Sequence, residues 1–107
     1  MRRYGQLIGL KPERYDEYVK AHADVWTGVL AKISECNIRN YSIFHHKGQL
    51  FAYFEYVGDD FDADMKRMAA DPETQRWWEW MMPMQAPLAD RAEGEWWSDM
   101  EEVFHTD

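Results

Sequence analysis

The sequence contains a single cysteine, Cys36, and no hydrophobic run long enough to span a membrane. One cysteine excludes an intrachain disulfide and favours a reduced, structural thiol in a cytoplasmic protein. The N-terminus carries Arg2 and Arg3 but lacks the apolar stretch of a signal peptide. We therefore expect one cytoplasmic domain over residues 1–107, a length close to the common domain size.

Positive charge is also scarce, with 12 Lys and Arg against 20 Asp and Glu and a net charge of −8. An acidic surface repels phosphate backbones and anionic lipids, so the composition argues against nucleic acid and membranes as partners. Aromatic residues, in contrast, make up 16% of the chain and include six Trp. A small core hides few such rings, so we expect some to line a pocket or a subunit interface of a homodimer.

The order of predicted elements indicates a ferredoxin-like fold. Apolar periodicity and capping residues predict strand, helix, strand, strand, helix, strand, with the first helix unbroken from Pro12 to about Glu35. This split βαβ order is typical of α+β domains with an antiparallel sheet and helices on one face, and two such sheets can pack as a dimeric α+β barrel. The other predicted elements are strands over 3–10, 38–46, 49–57 and 95–105, a loop over 85–94, a short helix capped by Asp59 and Asp60, and a helix from Asp71–Pro72 to near Pro83.

One histidine occupies a position where a core helix usually carries an aliphatic residue. His22 falls on the apolar face of the first predicted helix, with Tyr18 one turn before it and Trp26 one turn after it. Histidine titrates near physiological pH, so an inward-facing one is a candidate acid–base group. The alternative is an inert core histidine bonded to a carbonyl. Tyr41, on the next strand, can reach the same cavity, and such polar groups in an aromatic setting fit a small neutral polyol.

Two adjacent tryptophans, Trp77 and Trp78, lie on the helix that follows Asp71. Neighbours on a helix point about 100° apart, so one ring can pack in the core while the other faces a cavity. Flat aromatic faces suit the C–H faces of a sugar ring. The alternative is that both rings serve only packing, as aromatics at helical spacing usually do.

Four segments, spread in order over nearly the whole chain, carry a family resemblance. They are Tyr18-x-x-x-His22-x-x-x-Trp26, Asn40-Tyr41-Ser42-Ile43, Gln75-Arg76-Trp77-Trp78 and Glu101-Glu102-Val103-Phe104. Together they resemble the L-rhamnose mutarotase family. The resemblance implies a ferredoxin-like dimer that interconverts the anomers of L-rhamnose or a close 6-deoxy sugar. It also implies that His22 is the proton donor and that Tyr18, Tyr41, Trp77 and Trp78 contact the sugar. Positioned acid–base groups contribute roughly 10²–10⁴-fold, which suffices without a cofactor for a reaction that already proceeds in water.

The segment after the second helix departs from the family pattern. The rhamnose members carry an Asn- and Pro-rich stretch there, whereas this chain reads Met84-Gln85-Ala86-Pro87-Leu88 and then Glu95-Trp96-Trp97. If this segment borders the pocket, L-fucose or another deoxy sugar stays open as the substrate. The base that would assist His22 is open among a water, a tyrosine and a carboxylate, and an inward Glu101 or Glu102 could orient His22.

Other functions are compatible with the same fold. A cofactor-free or haem-linked oxygenase on a dimeric barrel is one alternative, and a sugar-binding module without turnover is another, because fold alone does not decide function. A metal site is not expected. His45 and His46 are adjacent on a strand and point to opposite faces, and no Cys or His spacing matches a ligand set.

Overall fold

Five strands and four α-helices follow one another along residues 1–107, for which the structure is a computed structural model. Short 3₁₀ helices precede the first α-helix and follow the last one, at Pro12–Arg14 and Met82–Met84. No helix has the length and apolar character that crossing a bilayer requires. The elements are β1 Arg2–Leu10, α1 Tyr15–His22, α2 Thr27–Glu35, β2 Ile38–His46, β3 Gln49–Tyr56, α3 Phe61–Ala70, α4 Pro72–Met81, β4 Gln85–Ala86 and β5 Ser98–Met100.

The sheet has the strand order β2-β3-β1-β4, β5 also pairs with β1, and every pair is antiparallel. The β2–β3 hairpin turns at Lys47 and Gly48, which both have positive φ, as the tightest hairpin turns require. Gly9 lets β4 approach, because a Cβ there would lie 2.6 Å from the carbonyl oxygen of Ala86. The sequence-based prediction of a ferredoxin-like α+β fold with an antiparallel sheet is confirmed.

The prediction of one unbroken helix from Pro12 to Glu35 is wrong. Helix α1 ends at His22, and α2 begins only at Thr27 after an extended Trp26. The interruption lets the Trp26 ring pack against Trp77, with ring centroids 5.2 Å apart. Tertiary packing here overrides the local preference for helix. His22 therefore lies at the C-terminal end of a helix and not in the middle of one.

The predicted last strand over 95–105 is also too long. Only Ser98–Met100 pairs with β1, and residues 101–107 form no regular structure. If the register of β5 against β1 continued, Glu102 would lie opposite Arg3. Their side chains instead form an ion pair, with Arg3 Nε 2.9 Å from Glu102 Oε2, and no ladder hydrogen bonds join the two residues. The predicted loop over 85–94, conversely, begins with the two-residue strand β4.

The core divides into two clusters on the helix-covered face of the sheet. Ile8, Leu50 and Trp77 belong to the larger cluster, and Ile38 and Phe54 belong to the smaller one. A cavity lies between the clusters, and residues of both form its wall. The gap in the core is therefore the place that the fold offers to a ligand.

Candidate active site

The cavity between the two core clusters has a volume of about 500 Å³. All five residues predicted from the sequence line it, namely Tyr18, His22, Tyr41, Trp77 and Trp78. Fourteen of its 17 lining residues are hydrophobic, and none is Asp, Glu, Lys or Arg. Without a fixed charge in its wall, the cavity suits a neutral ligand, because a charged one would lose its hydration without gaining an ion pair.

His22 enters the cavity wall from the last turn of α1, where it is half-buried. Its Nδ1 lies 2.8 Å from the carbonyl oxygen of Tyr18. A carbonyl only accepts, so Nδ1 carries a proton, and Nε2 of the neutral ring keeps a lone pair with no partner in the protein. Burial is the main influence on this imidazole and lowers its pKa, so the neutral form dominates near pH 7.

The structure thus contains the carbonyl bond expected of an inert core histidine, but that bond occupies only one ring nitrogen. The other nitrogen is free in a residue that lines a cavity. The resemblance implies that His22 is a proton donor, which requires the protonated ring. Burial lowers the pKa of His22 and so favours the neutral ring, whose free Nε2 can accept a proton first.

Tyr18 packs against His22, with ring centroids 4.3 Å apart. Only 4% of its surface is exposed, and burial raises the pKa of its phenol. Its hydroxyl accepts a hydrogen bond of 3.1 Å from the side-chain amide of Gln85. Tyr18 therefore presents an un-ionised phenol to the cavity, beside the free nitrogen of His22.

Tyr41 reaches the cavity from β2, which is irregular at this point. The register with β3 shifts between Arg39 and Ser42, and Asn40 takes a positive φ. Although 42% of the Tyr41 surface is accessible, desolvation raises the pKa of its phenol to about 12, with a smaller contribution from Tyr18. The β-bulge thus directs a second un-ionised hydroxyl towards the pocket that Tyr18 and His22 share.

The two tryptophans divide between core and cavity rim. Trp77 is only 6% exposed. Its ring packs edge-on against the His22 ring, with ring centroids 5.4 Å apart. Trp78 is 37% exposed and lines the cavity from its rim. This arrangement matches the interpretation that one ring packs in the core while its neighbour faces a cavity.

Two glutamines of the site were missed by the sequence analysis. Gln85 is 6% exposed and lines the cavity from β4, inside the segment that was predicted to be a loop. Gln6 lines it from β1 and donates a 2.9 Å hydrogen bond to Asp99. No local pattern marks either residue, because both acquire their role from strand pairing. Trp96 and Trp97, from the segment that differs from the family pattern, also line the cavity.

The remaining candidates lie away from the cavity. His45 accepts a hydrogen bond from the backbone of Gly48, and His46 is exposed. Glu102 pairs with Arg3, so it does not orient His22. No three His, Cys, Asp or Glu side chains lie close enough together to hold a metal ion.

Comparison with known proteins finds relatives that match the whole chain. A family model described as L-rhamnose mutarotase matches residues 3–106. L-rhamnose mutarotases of Lactiplantibacillus plantarum and Oceanobacillus iheyensis are 36% and 33% identical to this chain, each over 100% of both chains. The L-rhamnose mutarotase of Bacillus subtilis is 32% identical, again over 100% of both chains.

Among solved structures, an L-rhamnose mutarotase of Formosa agariphila superposes with a TM-score of 0.79 at 21% identity. The tetracenomycin F2 cyclase of Streptomyces glaucescens superposes with a TM-score of 0.71 at 16% identity. Each comparison covers 100% of both chains. At such low identity these two structures support the fold alone.

Proposed function

The chain belongs to the L-rhamnose mutarotase family, and from that premise we propose that it is an enzyme that interconverts the α and β anomers of L-rhamnose. The observation that carries the proposal is the free Nε2 of His22 in an uncharged aromatic cavity. A neutral deoxy sugar offers C–H faces and a methyl group to the tryptophans and hydroxyls to the few polar tips. Within isomerases, we assign the chain to the aldose 1-epimerase type.

The reaction requires two proton transfers. The anomeric O1–H loses its proton, the C1–O5 bond breaks, and O5 gains a proton, which leaves the open-chain aldehyde. Rotation about C1–C2 presents the other face of the carbonyl, and the reverse steps close the ring. We propose that His22 Nε2 takes the O1 proton on opening and returns it on closing, so the same residue serves as base and then as acid.

The substrate-contacting roles follow from positions on the cavity wall. We assign Trp78, on the rim, to stacking against the sugar, and Trp77 to holding the His22 ring edge-on. The hydroxyls of Tyr18 and Tyr41 would bind sugar oxygens from α1 and β2. The reaction returns every group to its starting state, so none of these roles calls for a cofactor or a metal.

The competing functions receive less support. The relatives are named as mutarotases, and no oxygenase is among those described above. A sugar-binding module without turnover would use Nε2 of His22 only as a hydrogen-bond acceptor, and the relatives described above are named as enzymes. L-rhamnose is our proposed substrate over L-fucose, because it is the sugar in the names of the full-length relatives. We also propose a cytoplasmic location, in keeping with Cys36 as a buried free thiol.

Acidification is expected to abolish the enzymatic exchange. Burial lowers the pKa of His22 below its usual value of 6.5, so the neutral base predominates at pH 7. As the pH falls through that lowered pKa, the imidazole is protonated and the rate should fall about tenfold per pH unit. The measurement is the rate of anomer exchange between pH 4 and pH 8, corrected for spontaneous exchange. An enzymatic rate that rises on acidification would contradict the role of His22 as the initial base.

We propose further that two copies of the chain pack through the helix-free face of the sheet. Leu7, Phe51 and Phe44 lie opposite one another there on adjacent strands, and Phe44 is 64% exposed. We expect the contact between the two sheets to be mostly apolar. Sedimentation should then show a dimer at micromolar concentration. Phe44→Glu should produce monomers, whereas Leu30→Glu, on the helical side, should leave the dimer intact. A wild-type monomer throughout this range would exclude the barrel dimer.

A further inference from the structure

Gln85 connects two aromatic residues of the site in a single hydrogen-bonded chain. Its side-chain oxygen accepts from the indole Nε1 of Trp96 at 2.8 Å, and its side-chain nitrogen donates to the hydroxyl of Tyr18 at 3.1 Å. Gln85 is one of only two buried polar residues in the protein, and the other, Thr74, belongs to a helix cap. A buried amide that is hydrogen-bonded at both its oxygen and its nitrogen has little freedom to turn.

The orientation of this amide follows from the chemistry of its neighbours. An indole N–H can only donate, so the oxygen of Gln85 must face Trp96 and the NH₂ group must face Tyr18. An NH₂ group of an amide does not accept. The Tyr18 hydroxyl oxygen therefore accepts the hydrogen bond from Gln85. Its own O–H proton has no acceptor in the protein and remains available to a ligand in the cavity.

We propose that Gln85, locked by Trp96, is a positioning residue that makes Tyr18 the proton donor to the ring oxygen of the sugar. The inference rests on the proposed function. In ring opening, the O–H bond of Tyr18 breaks as its proton passes to O5, while His22 Nε2 takes the proton of O1. Ring closure returns one proton to Tyr18 and the other to O1, so protons and electron pairs balance over the cycle.

The surroundings of Tyr18 suit this role better than those of Tyr41. The Tyr18 ring packs against His22 at a tilt of 30°, with ring centroids 4.3 Å apart, and both side chains line the cavity. Donation from Gln85 also stabilises the phenolate that forms, and this hydrogen bond lowers the pKa of Tyr18 against the opposing effect of burial. Tyr41 receives no hydrogen bond from a protein donor, so nothing in the site orients its hydroxyl.

The test is Trp96→Phe, which keeps an aromatic ring but removes the indole donor. The amide of Gln85 is then free to turn, and its oxygen can capture the Tyr18 proton. We expect kcat for anomer exchange to fall about tenfold, the worth of one hydrogen bond, with KM little changed. Trp80→Phe is the matched control, since it also removes an indole hydrogen bond, to Glu17, but outside the cavity; its kcat should match that of the wild type.

A double-variant comparison separates positioning from general damage. Tyr18→Phe should lower kcat about 10²-fold, and adding Trp96→Phe to it should lower kcat no further, because the group that Gln85 orients is gone. An equal loss in both backgrounds, or a wild-type kcat in Trp96→Phe, would overturn the proposal. If Trp96→Phe does not fold, Gln85→Leu, which can neither donate nor accept, replaces it with the same expectations.

A titration of ¹³C-labelled tyrosine by NMR gives a readout that does not depend on activity. Loss of the Gln85 donation should raise the pKa of Tyr18 in Trp96→Phe and leave it unchanged in Trp80→Phe. An unchanged Tyr18 pKa in Trp96→Phe would overturn the positioning role even in an active enzyme. If the wild type fails to exchange anomers, the proposed function fails, and this titration still decides whether Gln85 orients Tyr18.

Discussion

Replacing His22 with alanine is expected to slow enzymatic anomer exchange by about 10²–10⁴-fold, the usual contribution of a positioned acid–base group. The reason is that Nε2 of His22 is the one unpartnered imidazole nitrogen on the cavity wall. The protein should stay folded, because the imidazole is half-buried and its only hydrogen bond is to a carbonyl of its own helix. The measurement is the exchange rate together with circular dichroism and the oligomeric state.

His46→Ala is the matched control for that experiment. His46 is exposed on β2 and does not line the cavity, so its loss should leave the exchange rate unchanged. A well-folded His22→Ala protein with near-normal exchange would falsify the assignment of His22. Equal loss of exchange in both histidine variants would instead indicate damage unrelated to the site.

Leucine substitutions at the two tryptophans should affect different properties, stability at Trp77 and sugar binding at Trp78. Trp77→Leu opens a cavity in the main core cluster and should lower the free energy of unfolding by about 2–3 kcal/mol, less than the roughly 3–5 kcal/mol of a typical Trp→Ala change. Trp78→Leu keeps apolar bulk at the rim but removes a flat face. It should weaken L-rhamnose binding by about 1 kcal/mol while the melting temperature changes little.

Thermal unfolding and sugar titration of both variants check this division. The pH profile of Trp78→Leu should follow that of the wild type, because His22 sets it. If both variants bind normally, or lose binding only by unfolding, then the pair is core packing. The sugar would then stack elsewhere, and Trp96 and Trp97 on the same cavity wall are the candidates.

Local signals in the sequence predicted most element boundaries correctly. Asp60 and Asp71 were predicted to cap the helices α3 and α4, and their carboxylates accept hydrogen bonds from the backbone N–H groups of Ala63 and Thr74. Asn37, two residues beyond the predicted end of the first helix near Glu35, has a φ of 68°, a conformation common just after a helix. Capping depends on residues three or four positions apart, so it can be recognised without the rest of the fold.

The errors arose where distant contacts decide the structure. Nothing near Trp26 predicts a helix break, and its extended conformation is stabilised by packing against Trp77 and Trp80 on α4. Likewise, Gln85 belongs to a two-residue strand whose place depends on β1, and its side chain is held by Trp96. The residues that the helices bring to the cavity, Tyr18, His22, Trp77 and Trp78, were therefore predictable from helical spacing, whereas the amide that bonds to Tyr18 was not.

The most direct test of the central claim is NMR saturation transfer between the anomers of L-rhamnose, with and without the protein, and with L-fucose in parallel. Saturation of one anomeric resonance should pass to the other at a rate proportional to the enzyme concentration, and faster for L-rhamnose than for L-fucose. The same experiment with the His22→Ala protein should show only the spontaneous rate of exchange. Binding of L-rhamnose without any acceleration of exchange by the wild-type protein would contradict the account.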